Sequence, residues 1–226
     1  QSSTRYLLIN SGNANAGTGD TGMAAAKACC QAVAQQAQCD TSAVLPFSTG
    51  VIGQPLPVEK ITNALPEAFS TLAADNWFAA AHAIMTTDTI AKARSVELSL
   101  NGQPITLTGI AKGSGMIRPD MATLLSYIAT DAAISASTLQ KMLDVSMEQS
   151  FNSITVDGDT STNDACILIA TGKAGNSVIE DIDSPDAHQF IEALNNLSRF
   201  LAQAIVRDGE GATKFISIDV QQGADP

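Results

Sequence analysis

Basic charge is scarce in this chain: 12 Lys and Arg stand against 23 Asp and Glu, a formal net charge of −11. The basic residues are scattered, so neither nucleic acid nor an anionic membrane surface is expected as a partner, because each needs a concentrated cationic face. Long uncharged apolar runs are missing too. None approaches the ~18 residues of a membrane span, and the first residues lack the basic start and apolar core of a secretion signal, so a cytoplasmic location is expected. Histidine is limited to His82 and His188, far apart and both in helix-like segments, which leaves a Ser/His/Asp triad with little support. Cys29, Cys30, Cys39 and Cys166 have no C-x-x-C or Cys/His spacing; they read as small buried residues in a reducing compartment.

What is present suffices for a full core: 226 residues, 45% of them hydrophobic. An apolar strand is expected at 5–10, then a loop of small residues at 11–17, then a helix over 21–38 capped by Asp20 or Thr21. A buried strand at 42–47 leads into a glycine-bearing turn at 48–55, whose backbone N–H groups would point outward. Helices follow at 58–72 and 77–83. Strands at 95–100 and 104–110 flank Asn101-Gly102, the pair that a type I′ hairpin favours. Further strands are expected at 124–129, 166–170 and 215–220, with helices over 137–149 and from Ser184-Pro185 to about 206. The fold class is α/β, mixed sheets layered with helices in one domain.

Gly17-Thr-Gly-Asp-Thr-Gly22 matches a dinucleotide fingerprint, but six loop residues separate Asn10 from its first glycine, too many for a pyrophosphate to meet strand end and helix start together. Asp157, Asp159 and Asp164 lack EF-hand spacing and read equally as capping turns, so no metal and no cofactor is expected. Without a histidine base, a hydroxyl nucleophile needs another proton acceptor. A threonine freed at its own N-terminus supplies one, since an α-amine titrates near pH ~7.7–8.0. Ala122-Thr123 is a chemically reasonable place for such a cut, with Gly115 and Pro119 in the loop before it, although the residues alone favour a threonine that merely starts a strand.

Seven segments carry a resemblance. They are Asn10-Ser-Gly-Asn-Ala-Asn15, Ser48-Thr-Gly-Val-Ile-Gly53, Met85-Thr-Thr-Asp-Thr89, Lys112-Gly-Ser-Gly-Met-Ile117, Pro119-Asp-Met-Ala-Thr-Leu-Leu125, the stretch from Thr155 to Asp164, and the stretch from Val206 to Lys214. In this order they resemble the ornithine acetyltransferase family, the bifunctional glutamate N-acetyltransferases of arginine biosynthesis. The resemblance implies a sandwich like that of N-terminal-nucleophile aminopeptidases, self-cleavage between Ala122 and Thr123, and ping-pong acetyl transfer from N2-acetylornithine to glutamate through an acetyl-Thr123. Some members also accept acetyl-CoA. By matching motif, Thr49 and Gly50 stabilise the oxyanion, and Thr86, Lys112, Thr123 and Glu210 contact substrate. It further implies that the two cleaved chains stay associated in a homo-oligomer, and that residues 1–226 are the central portion of a longer chain without its C-terminal domain. Arg118 and Asp120 depart from the family pattern. An amidohydrolase or aminopeptidase of similar fold, with water as acceptor, and a non-catalytic small-molecule binding domain are the alternative readings.

Overall fold

Tyr6 and Leu8 point to one side of the first strand and Leu7 and Ile9 to the other, and the two sets join different hydrophobic clusters. That period-two split generates the layers of the computed structural model, which describes residues 4–118 and 124–222. Strand β1 (Tyr6–Asn13), helix α1 (Gly19–Ala37) and strand β2 (Val44–Val51) form a parallel unit, followed by α2 (Val58–Ser70) and α3 (Trp77–Ala83). Cys30 and Val33 of α1 and Leu65 of α2 cover the face that carries Tyr6 and Leu8.

The other sheet has the order β3-β4-β5-β6, built from β3 (Lys92–Leu100), β4 (Gln103–Lys112), β5 (Leu125–Thr130) and β6 (Ala165–Ala170). β3, β4 and β5 are antiparallel neighbours, and β5 and β6 run parallel across a connection that contains α4 (Ala136–Glu148). Leu7, Ile9 and Phe47 from the first sheet meet Ile110, Leu125, Tyr127 and Ile167 from the second. Phe47 and Tyr127 make an edge-to-face contact there, with ring centroids 5.3 Å apart. On its far face the second sheet buries Ile105, Leu107 and Ile128 under Phe190, Leu194 and Leu197 of α5 (Pro185–Arg207). Gly109 permits that approach: a Cβ there would lie 2.7 Å from Leu197 Cδ2. The result is helix–sheet–sheet–helix, the expected layering of mixed sheets with helices.

Local signals set several boundaries. The Ser135 and Ser184 hydroxyls accept from the backbone N–H of Thr138 and Ala187, and Pro185 opens α5 where its missing N–H costs nothing. Asn101 and Gly102 both have positive φ, 50° and 81°, as a type I′ turn requires.

Four expectations are corrected. The loop at 11–17 begins later, since β1 runs through Asn13, and the turn at 48–55 is strand as far as Val51. Each polar extension is stabilised by the other: Asn10, Ser11 and Gly12 lie opposite Ser48, Thr49 and Gly50 in register. Helix α1 starts at Gly19 after Thr18, which places Asp20 in its first turn and not at its cap. The strand expected at 215–220 pairs with nothing among the described residues; Ile216, Ile218 and Val220 are at least 73% exposed, so the alternating pattern has no sheet to join.

Candidate functional site

Where β1 and β2 outrun their apolar residues they stop being core and become a wall. Gly12 and Gly50 face each other in register, and a Cβ on Gly50 would lie 2.3 Å from the Gly12 carbonyl carbon. Gly50 also has φ +130°, a conformation that only glycine adopts readily. The two strand ends are thereby drawn together on one side of a cavity of about 600 Å³, bordered also by Thr86 and Thr87, Lys112, Gly115 and Glu210.

Lys112, the last residue of β4, is 5% exposed. Its Nζ donates to the Thr86 hydroxyl at 2.7 Å and the Thr49 hydroxyl at 3.2 Å, and it lies 3.9 Å from Asp88 Oδ2. An ammonium has three N–H groups, and the two threonine hydroxyls accept from two of them. Because Thr49 Oγ1 accepts from a cation, its own proton is polarised and directed elsewhere, which suits a donor to developing negative charge. Burial, with the Lys92 ammonium adding to it, pulls the Lys112 pKa below the usual lysine range, against Asp88, Glu210 and Asp164.

A second set of contacts holds these groups in place. Asp88 accepts from the Gly113 amide at 2.8 Å, the Thr86 amide at 3.2 Å and Lys92 Nζ at 2.7 Å. Lys92 continues to Asp208 at 2.6 Å, and Asp208 accepts from the amides of Thr89 at 3.0 Å and Ile90 at 3.3 Å. Burial works to raise the pKa of both carboxyls, yet these donors hold them below the ordinary range. Asp208 directly follows α5, so the ion bridge also fixes Glu210 two residues on. The Glu210 amide donates to the Ser114 carbonyl at 2.6 Å, and its carboxylate accepts from the Thr87 hydroxyl.

Asn163 closes another side, donating to the carbonyls of Ala14 at 2.7 Å and Ser48 at 3.1 Å. The Asp157 carboxylate receives the amides of Met116 at 2.5 Å, Asp159 at 3.0 Å and Ile117 at 3.1 Å, which explains its lowered pKa despite some burial. It serves as a backbone clamp on the loop after Lys112. Among the described residues no group of three or more His, Cys, Asp or Glu is arranged to hold a metal ion, and no helix is long and apolar enough to cross a membrane.

Of the residues named from sequence, Thr49, Gly50, Thr86, Lys112 and Glu210 border this one cavity. Asp120, Ala122 and Thr123 lie outside the described residues. Sequence reasoning gave no role to Asp88, Lys92, Asn163 or Asp208, and weighed Asp164 only as a cation ligand or part of a capping turn. All except Lys92 fall in segments already noted as motifs, which was the signal available.

The fold and site define a layered α/β domain with a cavity lined by the buried ammonium of Lys112 and the exposed carboxylates of Asp157 and Glu210. The chain belongs to the ArgJ family, whose sequence profile matches residues 1–226. The arginine biosynthesis bifunctional protein ArgJ of Pseudomonas syringae pv. tomato is 55% identical over 223 residues, which cover 99% of this chain and 55% of that protein. The corresponding protein of Psychrobacter arcticus is 54% identical over 223 residues, with the same shares of 99% and 55%. The crystal structure of the Bacillus halodurans arginine biosynthesis bifunctional protein ArgJ is 38% identical, with a TM-score of 0.46 over 51% of this chain and 61% of that one. The chain thus spans about half the length, 55%, of the curated relatives it matches.

Proposed function

We propose that these residues form one α/β domain of an acetyltransferase that moves an acetyl group from N2-acetylornithine to glutamate. Peptide cleavage between Ala122 and Thr123 frees the threonine α-amine. That amine takes the proton of the Thr123 hydroxyl as the oxygen attacks the acetyl carbonyl, and returns it to the departing ornithine amine. The glutamate α-amine then attacks the acetyl-threonine ester, and the hydroxyl is restored. Thr49 and Gly50 would bear the tetrahedral oxyanion, with each such donor worth roughly 3–4 kcal/mol of transition-state stabilisation. Lys112, steadied by Thr86, would meet the substrate α-carboxylate, and Glu210 an ammonium. In the same reading the cleaved parts remain together as a cytoplasmic homo-oligomer, and acetyl-CoA is a second donor to be assayed.

The observation that carries this reading is one cavity in which the Lys112 ammonium, held by the Thr49 and Thr86 hydroxyls, shares the walls with the Glu210 carboxylate. That is a charge pattern complementary to an amino acid. Membership of the ArgJ family and the relatives' naming as arginine biosynthesis proteins support it. The test is intact-mass analysis of the full-length protein, with labelled N2-acetylornithine supplied with and without glutamate. Two fragments parted at Ala122-Thr123, a whole Thr123→Ala variant, and label appearing in N-acetylglutamate are expected. An uncut wild-type protein without transfer would refute the reading, and release of free acetate irrespective of glutamate would make the protein a hydrolase.

A further inference from the structure

Asp164 stands at the entry to β6, beside Leu124 at the entry to β5: the Ala165 amide donates to the Leu124 carbonyl at 2.9 Å. Both oxygens of its carboxyl are shut away from solvent, and neither has a hydrogen-bond partner among the described residues. On one side the residue borders a small cavity of about 10 Å³ that it shares with Lys112 and Thr49. On the other it borders a hollow of about 170 Å³ lined by Met147, Phe151 and Cys166 together with the polar Gln140, Asp144 and Asn152. A carboxyl group without a partner among the described residues, in such surroundings, weakens the fold, so its presence points to a role in the cavity next to it.

We propose that Asp164 is a positioning residue of this site that acts through Lys112: in its neutral form it leaves the ammonium free for a substrate carboxylate, and in its ionised form it competes for that ammonium. The proposal rests on the reading of Lys112 as the carboxylate-binding group. Burial drives the Asp164 pKa up to about 7, against the pull of the nearby Leu124 amide, which satisfies neither oxygen, and of Lys112. Among the described residues, the titratable groups that face it are Lys112 from β4, Asp144 from α4 and Cys166 from β6. Burial pushes the Cys166 thiol up to about 12, so it stays neutral through this interval. Asp164 is therefore a group beside Lys112 that changes charge near neutrality even in protein where no Thr123 amine is freed, and a carboxylate ligand should then bind less well as pH rises through that point.

The test uses full-length Thr123→Ala protein, with and without Asp164→Asn, between about pH 5.5 and about pH 8.5, a range that brackets a group titrating near 7. Infrared difference spectra of the ligand-free protein, wild type at 164 minus Asn, read the protonated carboxyl directly. Calorimetry with ornithine reads the binding. The expected result is a carboxylic-acid band that disappears as pH rises through about 7, accompanied by a fall in ornithine affinity on the order of fivefold or more that the Asn variant does not show. Lack of the band, or the same pH dependence in both proteins while Lys112→Met abolishes binding, overturns the role of Asp164 and leaves the Lys112 reading intact. Failure of ornithine to bind at any pH, or binding indifferent to Lys112→Met, overturns the Lys112 reading and the proposal with it.

Discussion

Lys92 Nζ lies 2.7 Å from Asp88 Oδ1, with side chains only 2% and 0% exposed, and the same ammonium reaches Asp208 at 2.6 Å. One buried cation therefore ties the loop that presents Thr86 to the turn that presents Glu210. Lys92→Met keeps the length and apolar stem but leaves Asp208 without a counter-charge and Asp88 with only the more distant Lys112, at 3.9 Å. A loss of about 3–5 kcal/mol is expected, read by urea unfolding at neutral pH.

The pH dependence of that loss follows from the same pair. Asp88 and Asp208 both have folded-state pKa values below the ordinary one. Depressed carboxyls contribute stability that is complete above the unfolded value of about 3.9 and disappears as pH falls through the lower folded values. The gap between wild type and Lys92→Met should accordingly narrow when the urea series is repeated below about pH 4. A gap that stayed constant there would mean the lysine acts by packing alone.

Gly50→Ala should separate the strand ends. The added Cβ meets the Gly12 backbone at 2.3 Å, and φ is +130°. A strained residue costs on the order of 1–3 kcal/mol, and relief by moving β2 away from β1 would displace Thr49 from Lys112. Calorimetry should find weakened ornithine binding beyond what the lower melting temperature accounts for.

Lys112→Met removes the group proposed to hold the substrate carboxylate. A hydrogen bond to a charged partner is worth about 1.5–3 kcal/mol, so ornithine affinity should fall roughly tenfold to a hundredfold or more in full-length Thr123→Ala protein. An analogue with an amide in place of the carboxylate should bind both forms with similar affinity.

Asp164→Asn should raise stability in a pH-dependent way. Its folded pKa of about 7 lies above the unfolded value, so the wild-type fold is weakened at high pH and regains stability as pH falls through about 7. Against wild type, the Asn variant should gain on the order of 1–3 kcal/mol near pH 8 and much less near pH 5. A gain of equal size at both pH values would show that the carboxyl does not titrate in this range.

The sequence by itself determined the elements whose signals are local. Ser135 and Ser184-Pro185 mark helix starts because a cap needs only residues within one turn, and Asn101-Gly102 marks the hairpin because the turn needs positive φ at both positions. It also made Thr49, Gly50, Thr86, Lys112 and Glu210 legible as candidates, through motifs whose order matched a family. Only the tertiary structure decided where β1 and β2 end, because Asn10 to Asn13 are strand by virtue of partners about 38 residues away in β2. It likewise left 215–220 without a ladder among the described residues, since an alternating pattern is a strand only when another strand accepts its hydrogen bonds. The Lys92–Asp208 bridge spans 116 residues of sequence, and the charge state of Asp164 depends on burial between β4, β5 and α4. Both are set by which side chains folding brings together, and that depends on distance in space, which neither spacing nor composition encodes.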